Sequence, residues 1–129
     1  MAMTQIDKVT KAKVHLINAA PFFGSLALRY PAEEASWCPT MATDGKHIVY
    51  NMNFVNKLSK EELAGVIAHE VCHMAFLHHL RRGNRDPKLW NVAADLVINP
   101  ILLEAHFTLP PERLFDQRFR LAILRELQM

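Results

Sequence analysis

The most legible part of the chain is Ser59-Lys60-Glu61-Glu62-Leu63-Ala64-Gly65-Val66-Ile67-Ala68-His69-Glu70-Val71-Cys72-His73. It opens with the pattern of a capping box, in which the Ser59 hydroxyl and the Glu62 carboxylate each satisfy an otherwise orphaned backbone N–H. Leu63, Val66, Ile67, Val71, Met74 and Leu77 then recur at helical spacing, which predicts a helix to about Arg82, ended by Gly83-Asn84. His69 and His73 stand four residues apart on that helix. They share one face about 6 Å apart along the axis, so both imidazoles can reach a single metal ion. Glu70 projects near them without being a ligand, placed to take a proton from a water that a metal has acidified. The bland alternative is two surface His pairing with Glu. The apolar run Val66, Ile67, Ala68, Val71 argues against it, because polar groups in such surroundings need partners.

Zinc needs a third protein ligand. His79 follows His73 by six residues, but on a continuous helix it lies about 9 Å further along the axis and turned about 120° away. His78 points to nearly the opposite face from His69. Asp95 is the better candidate. It is an acid within the apolar segment Trp90-Asn91-Val92-Ala93-Ala94-Asp95-Leu96-Val97-Ile98-Asn99, where a carboxylate is costly unless it is paired or holds a metal. Asp86-Pro87 starts this second helix and Asn99-Pro100 is expected to end it. Packed antiparallel on the first, it would present Asp95 to the two His. A structural network of Asp95 with His or Arg is the competing reading; Glu104 and His106 are the fallback ligands. Asn91 and Asn99, one turn to either side, are placed to orient Asp95.

Outward from this pair the signals weaken. Ile6, Val9, Val14, Ile17 and Ala20 predict a helix from Thr4 to Ala20, with Thr4 and Asp7 as caps and Pro21 and Gly24 as its punctuation. Ser25 to Tyr30 reads as a short strand and Pro31 to Pro39 as loop. Thr40–Thr43 and Lys46–Asn51 flank Asp44-Gly45, a hairpin signal suited to a tight turn with positive φ at both central residues. Phe115 to Leu127 mixes charge with Leu, Ile and Phe as a final amphipathic helix would.

The 129 residues amount to about one domain, and a chain that is 50% hydrophobic and 22% charged can bury a core. A net charge of +2 with interspersed signs leaves no footprint for nucleic acid or a membrane surface. The cluster Arg81, Arg82, Arg85 and Lys88 is read as a solvated basic helix end. Two cysteines make no disulfide framework, no apolar run suffices to span a bilayer, and the N-terminus lacks a signal-peptide stretch. A reduced, cytoplasmic protein is expected.

Pro39-Thr40, Thr43-Asp44-Gly45, Tyr50-Asn51, Phe54-Val55, Leu58-Ser59 and Glu62-Leu63 lead into His69-Glu70-Val71-Cys72-His73. Arg85-Asp86-Pro87, Leu89-Trp90-Asn91, Ala93-Ala94-Asp95 and Ile98-Asn99 follow. This order, over about residues 5 to 115, resembles the zincin-like metallopeptidase domain of bacteria and phages that is often followed by a von Willebrand factor A-like domain. The resemblance implies a zinc-dependent peptidase. It carries His69 and His73 over as metal ligands, Glu70 as the catalytic carboxylate and Asp95 as the family's Asp. It also implies an A-like domain or partner. The chain stops where that domain would begin, as expected of a stand-alone form or a piece of a longer protein. Cys72 departs from the family's usual aliphatic residue and is read as an inert buried thiol.

The expectation is therefore a single α+β zincin-like domain over residues 1–129, with its core at about 5–115 and a C-terminal helix at about 115–127. A small, mostly antiparallel sheet packs on the active-site helix and a second ligand-bearing helix. One Zn2+ per chain is held by His69, His73 and Asp95, with Glu70 as general base in a zinc metalloendopeptidase. The substrate is a peptide or protein, bound by strand addition to the hairpin Thr40–Asn51. Tyr50, His78, His79 and His106 are all open as the oxyanion stabiliser. The rival is a non-catalytic, metal-stapled interaction or regulatory module. Glu70 speaks against it, since a structural site closes its fourth position and has no use for a poised carboxylate.

Overall fold

The computed structural model describes residues 8–76 and 81–110. Within them the fold is α+β, with five helices and a three-stranded mixed sheet. Helix α4 (Lys60–Ala75) is its centre. Every residue from Leu63 to Cys72 is buried, as is Met74, so this helix is enclosed on all sides. The capping box forms as read: Ser59 Oγ accepts from Glu62 N–H, and the Glu62 carboxylate accepts from Ser59 N–H. The helix stops at Ala75 with Phe76 as its C-cap, short of the expected Arg82. The helical extrapolation that set His79 aside therefore does not hold, and His78 and His79 lie outside the described residues.

Helices α1 (Lys8–Ala19) and α2 (Pro21–Leu28) pack on α4. The first lies within the expected helix, though the caps assigned to Thr4 and Asp7 fall outside the described residues. The second overturns the strand expected at Ser25–Tyr30. Pro21 occupies the first turn of α2, where its missing N–H costs nothing. Gly24 is no terminator but a contact point: a Cβ there would stand 2.4 Å from Ile17 Cα, so only glycine lets the two helices meet.

Strands β1 (Ala32–Glu34), β2 (Met41–Thr43) and β3 (Ile48–Tyr50) lie in the order β1-β3-β2. The β2–β3 hairpin was legible, while β1 sits in the stretch read as loop and runs parallel to β3. The sheet is mixed rather than mostly antiparallel. Strand β1 carries Ala-Glu-Glu, which has no apolar alternation to announce it; its pairing comes from β3. The hairpin turn also differs from expectation, because Gly45 alone has positive φ (93°). The Asp44 carboxylate instead accepts from the backbone N–H of Lys46 and His47, both at 2.8 Å, holding a wider loop. Those two bonds bring the Asp44 pKa down to about 2.

A short helix α3 (Met52–Asn56), capped by the Asn51 side chain, leads from the sheet to α4. Helix α5 (Pro87–Glu104) begins as read, with Asp86 accepting from Leu89 N–H and Pro87 in the first turn. It does not end at Asn99-Pro100. A helix-interior proline costs about 3 kcal/mol, yet Ile98 and Leu102 are both fully buried on either side of Pro100. Their packing carries the helix past it. Leu16, Ile48, Val55, Leu63, Ile67, Ile98 and Leu102 form the deepest part of one continuous core. The C-terminal helix expected at 115–127 lies outside the described residues. Among the described residues, no helix is long and apolar enough to cross a membrane.

Candidate metal centre

Helices α4 and α5 pack together so that their polar residues meet inside the apolar interface. As α4 advances from His69 to His73, its partners on α5 step back from Asn99 to Asp95; the helices run in opposite directions. His69 Nε2 lies 2.8 Å from Asp95 Oδ1, His73 Nε2 lies 2.9 Å from the same oxygen, and the two imidazole nitrogens are 3.1 Å apart. A tetrahedral ion with ligand bonds of about 2.0 Å spaces its donors by about 3.3 Å. The triangle is within about half an ångström of that spacing. His69, His73 and Asp95 are a group that could hold a metal ion.

The contact behind His69 sharpens the case. His69 is 2% exposed, and its Nδ1 sits 2.9 Å from Oδ1 of Asn99, itself buried. An amide oxygen only accepts, so Nδ1 carries the proton and donates it. A neutral His69 then presents a bare lone pair at Nε2, facing a carboxylate oxygen 2.8 Å away. Two electron pairs meet there. A cation between them is what the donor set fits.

Asp95 is the anionic member. Burial pushes its carboxyl up, while the His73 imidazole, able to donate Nε2–H to the same oxygen, pulls it down, and the net direction is below the usual carboxylate range. Cys72 behaves oppositely. Burial, reinforced by the charge of Glu70, pushes its thiol up to about 12, so it stays a neutral core side chain.

A pocket of about 400 Å³ opens over the triad, within the usual range for ligand sites. Glu70, 4% exposed, is part of its wall, with Asn91 and Trp90 from α5 and Arg82 from the turn before it. The remaining wall is strand β2. Here Thr40 O accepts from Asn51 N–H, and Ala35 N–H and Pro31 O take the opposite side of β3 at Tyr50 and Ile48. Bonded pairs alternate along an antiparallel ladder, so Ala42 faces Val49 while the N–H and C=O of Met41 and Thr43 turn to the edge that no other described strand occupies. That edge borders the triad.

The structure thus gathers His69, His73, Asp95 and Glu70. Asn99 is close by, with its side-chain oxygen on His69 Nδ1. Glu104 is absent from the pocket wall, and His106 lines a separate pocket with His15 and Glu61. Tyr50 is buried in the core and does not line the site. Arg82 was missed as a wall residue. Its signal, a cation just beyond the metal helix, was absorbed into a basic surface run.

The comparisons agree with this geometry. A family model described as "Putative metallopeptidase domain" matches residues 4–128. The chain belongs to that family. The comparisons with curated proteins and with solved structures return no match.

Proposed function

We propose that this chain is a zinc-dependent endopeptidase domain, with His69, His73 and Asp95 as protein ligands and Glu70 as general base. The supporting observation is the convergence of two imidazoles and one carboxylate, with a second carboxylate in the same pocket wall and, beside it, a strand edge that no described strand pairs with. Among the described residues three protein ligands converge, which leaves a fourth position for water, the arrangement of catalytic rather than structural zinc sites. Bound there, zinc supplies Lewis acidity, bringing a water's pKa towards 7 and polarising a carbonyl.

The chain's own residues do the rest. An extended peptide pairs with the outward N–H and C=O groups of Met41 and Thr43, which fixes its backbone across the pocket. The Glu70 carboxylate accepts a proton from the attacking water and passes it to the leaving amine. Its burial keeps bulk water from competing for that proton. Arg82 and Asn91 supply the N–H donors in the wall, suited to developing negative charge on the carbonyl oxygen. Asp95 stays ionised and anchors the ligand set.

The deciding experiment is Glu70→Gln, assayed on a mixed peptide library with zinc content measured in parallel. Hydrolysis is expected to fall about 10²- to 10⁴-fold with one zinc per chain retained. Unchanged hydrolysis removes Glu70 from the chemistry. A wild type that holds zinc yet cleaves nothing favours the metal-stapled interaction module instead.

A further inference from the structure

We propose that Asn99 is a positioning residue of the metal centre, locking His69 in the Nδ1–H tautomer so that Nε2 is always presented to the cation. This inference rests on the metal centre of the proposed function, but not on peptide hydrolysis. Three observations carry it. The Asn99 side chain is 4% exposed in an apolar interface, where an amide is costly unless it is bonded. Its oxygen sits 2.9 Å from His69 Nδ1, the nitrogen remote from the triad. It also stands one turn after Asp95 on α5, so one helix supplies both a ligand to the cation and the group that aims another ligand.

An amide differs from the carboxylate that often fills this role. Asn99 fixes the tautomer and ring angle without adding negative charge behind the imidazole. His69 remains a neutral donor, and the centre keeps more of its Lewis acidity than a carboxylate partner would leave it. Without Asn99, the Nε2–H tautomer becomes accessible. That tautomer bonds directly to Asp95 Oδ1, closing the triad on itself and competing with the metal.

The test is zinc affinity of the full chain, read by competition with a chromophoric chelator, for wild type, Asn99→Leu, Asn99→Asp and the core control Ile98→Val. Asn99→Leu is expected to weaken zinc binding about 10- to 100-fold. Asn99→Asp, which keeps the acceptor, is expected to equal or exceed wild type, and Ile98→Val to leave affinity unchanged. Nitrogen-15 spectra of the zinc-free chain should show His69 protonated at Nδ1 in wild type and as a tautomer mixture in Asn99→Leu. Asn99→Leu affinity within about twofold of wild type would overturn the proposal. So would a folded Asn99→Asp that binds tenfold more weakly, and this arm decides if the Leu variant does not fold. Zinc binding without proteolysis sinks the peptidase reading and leaves Asn99 standing; a wild type that takes no zinc sinks both.

Discussion

The two walls of the pocket are built on opposite principles. On the helical side the polar groups are side chains, set in an interface where His69, Glu70 and Asn99 are all nearly inaccessible. On the strand side the polar groups are main chain, offered by a three-residue edge with only Met41 fully buried. Side chains held by close packing give fixed geometry, which a metal demands. Backbone groups at an edge give a repeat that accepts any residue, as the peptide-binding role proposed for it would require. Damage to the first wall should therefore destroy the site. Damage to the second should only loosen what binds there.

The largest contrast is expected from Leu102→Ala. This residue, two turns after Asp95 on α5, is fully buried in the main core, and its truncation should cost about 2–5 kcal/mol of stability. Chemical denaturation with and without zinc reads this directly. Equal stability to wild type would mean that the α4–α5 interface does not hold the site. A smaller effect is expected from Thr43→Pro. Measured against Thr43→Ala, which loses the same Oγ1 bonds to His47 O and Gly45 N–H, it removes one outward N–H and leaves the bonded Ala42–Val49 pair. One hydrogen bond is worth about 1 kcal/mol, so KM should rise about fivefold with kcat and zinc affinity nearly unchanged. A matching fall in kcat would show that β2 shapes the reacting centre as well as the substrate.

The smallest effect concerns the hairpin loop. Asp44 has its pKa lowered from 3.8 to about 2 by the backbone N–H groups of His47 and Lys46. A depressed carboxylate pKa contributes stability above the unfolded value, and that contribution is lost as pH falls through the folded one. The stability difference between wild type and Asp44→Ala should therefore be constant above about pH 5 and shrink between about pH 4 and pH 2. Denaturation at several pH values measures it. A difference that persists to pH 2 would mean that the loop is held by something other than the ionised carboxylate.

The same contrast explains what the sequence could and could not tell. Both helices of the metal centre announce themselves through local chemistry: Ser59 and Glu62 box one end, Asp86 and Pro87 open the other, and apolar spacing runs between. The pairing of His69, His73 and Asp95 was legible because an acid in an apolar helix must find a partner. Where tertiary contact overrules local preference, reading failed. Pro100 signals an end, but the burial of Leu102 carries α5 beyond it. Gly24 signals a break, but its missing side chain serves the approach of α1 to α2. Strand β1 exists because β3 offers it a ladder, and nothing in Ala-Glu-Glu reports that. The contact of Asn99 with His69 was not legible, since a helical wheel places a residue on a face without saying which atom it meets.

The opposed course of α4 and α5 has one more consequence. Their polar residues are staggered by a single turn on each helix, so the centre works like a vernier between two scales. Sliding either helix by one residue rotates its side chains by about 100° and scatters the three donor atoms, although every helical hydrogen bond survives. Metal retention is thus a finer gauge of native alignment than helix content. For the chain loaded with zinc, gentle warming or mild denaturant should release the ion while the ellipticity of the chain is still intact.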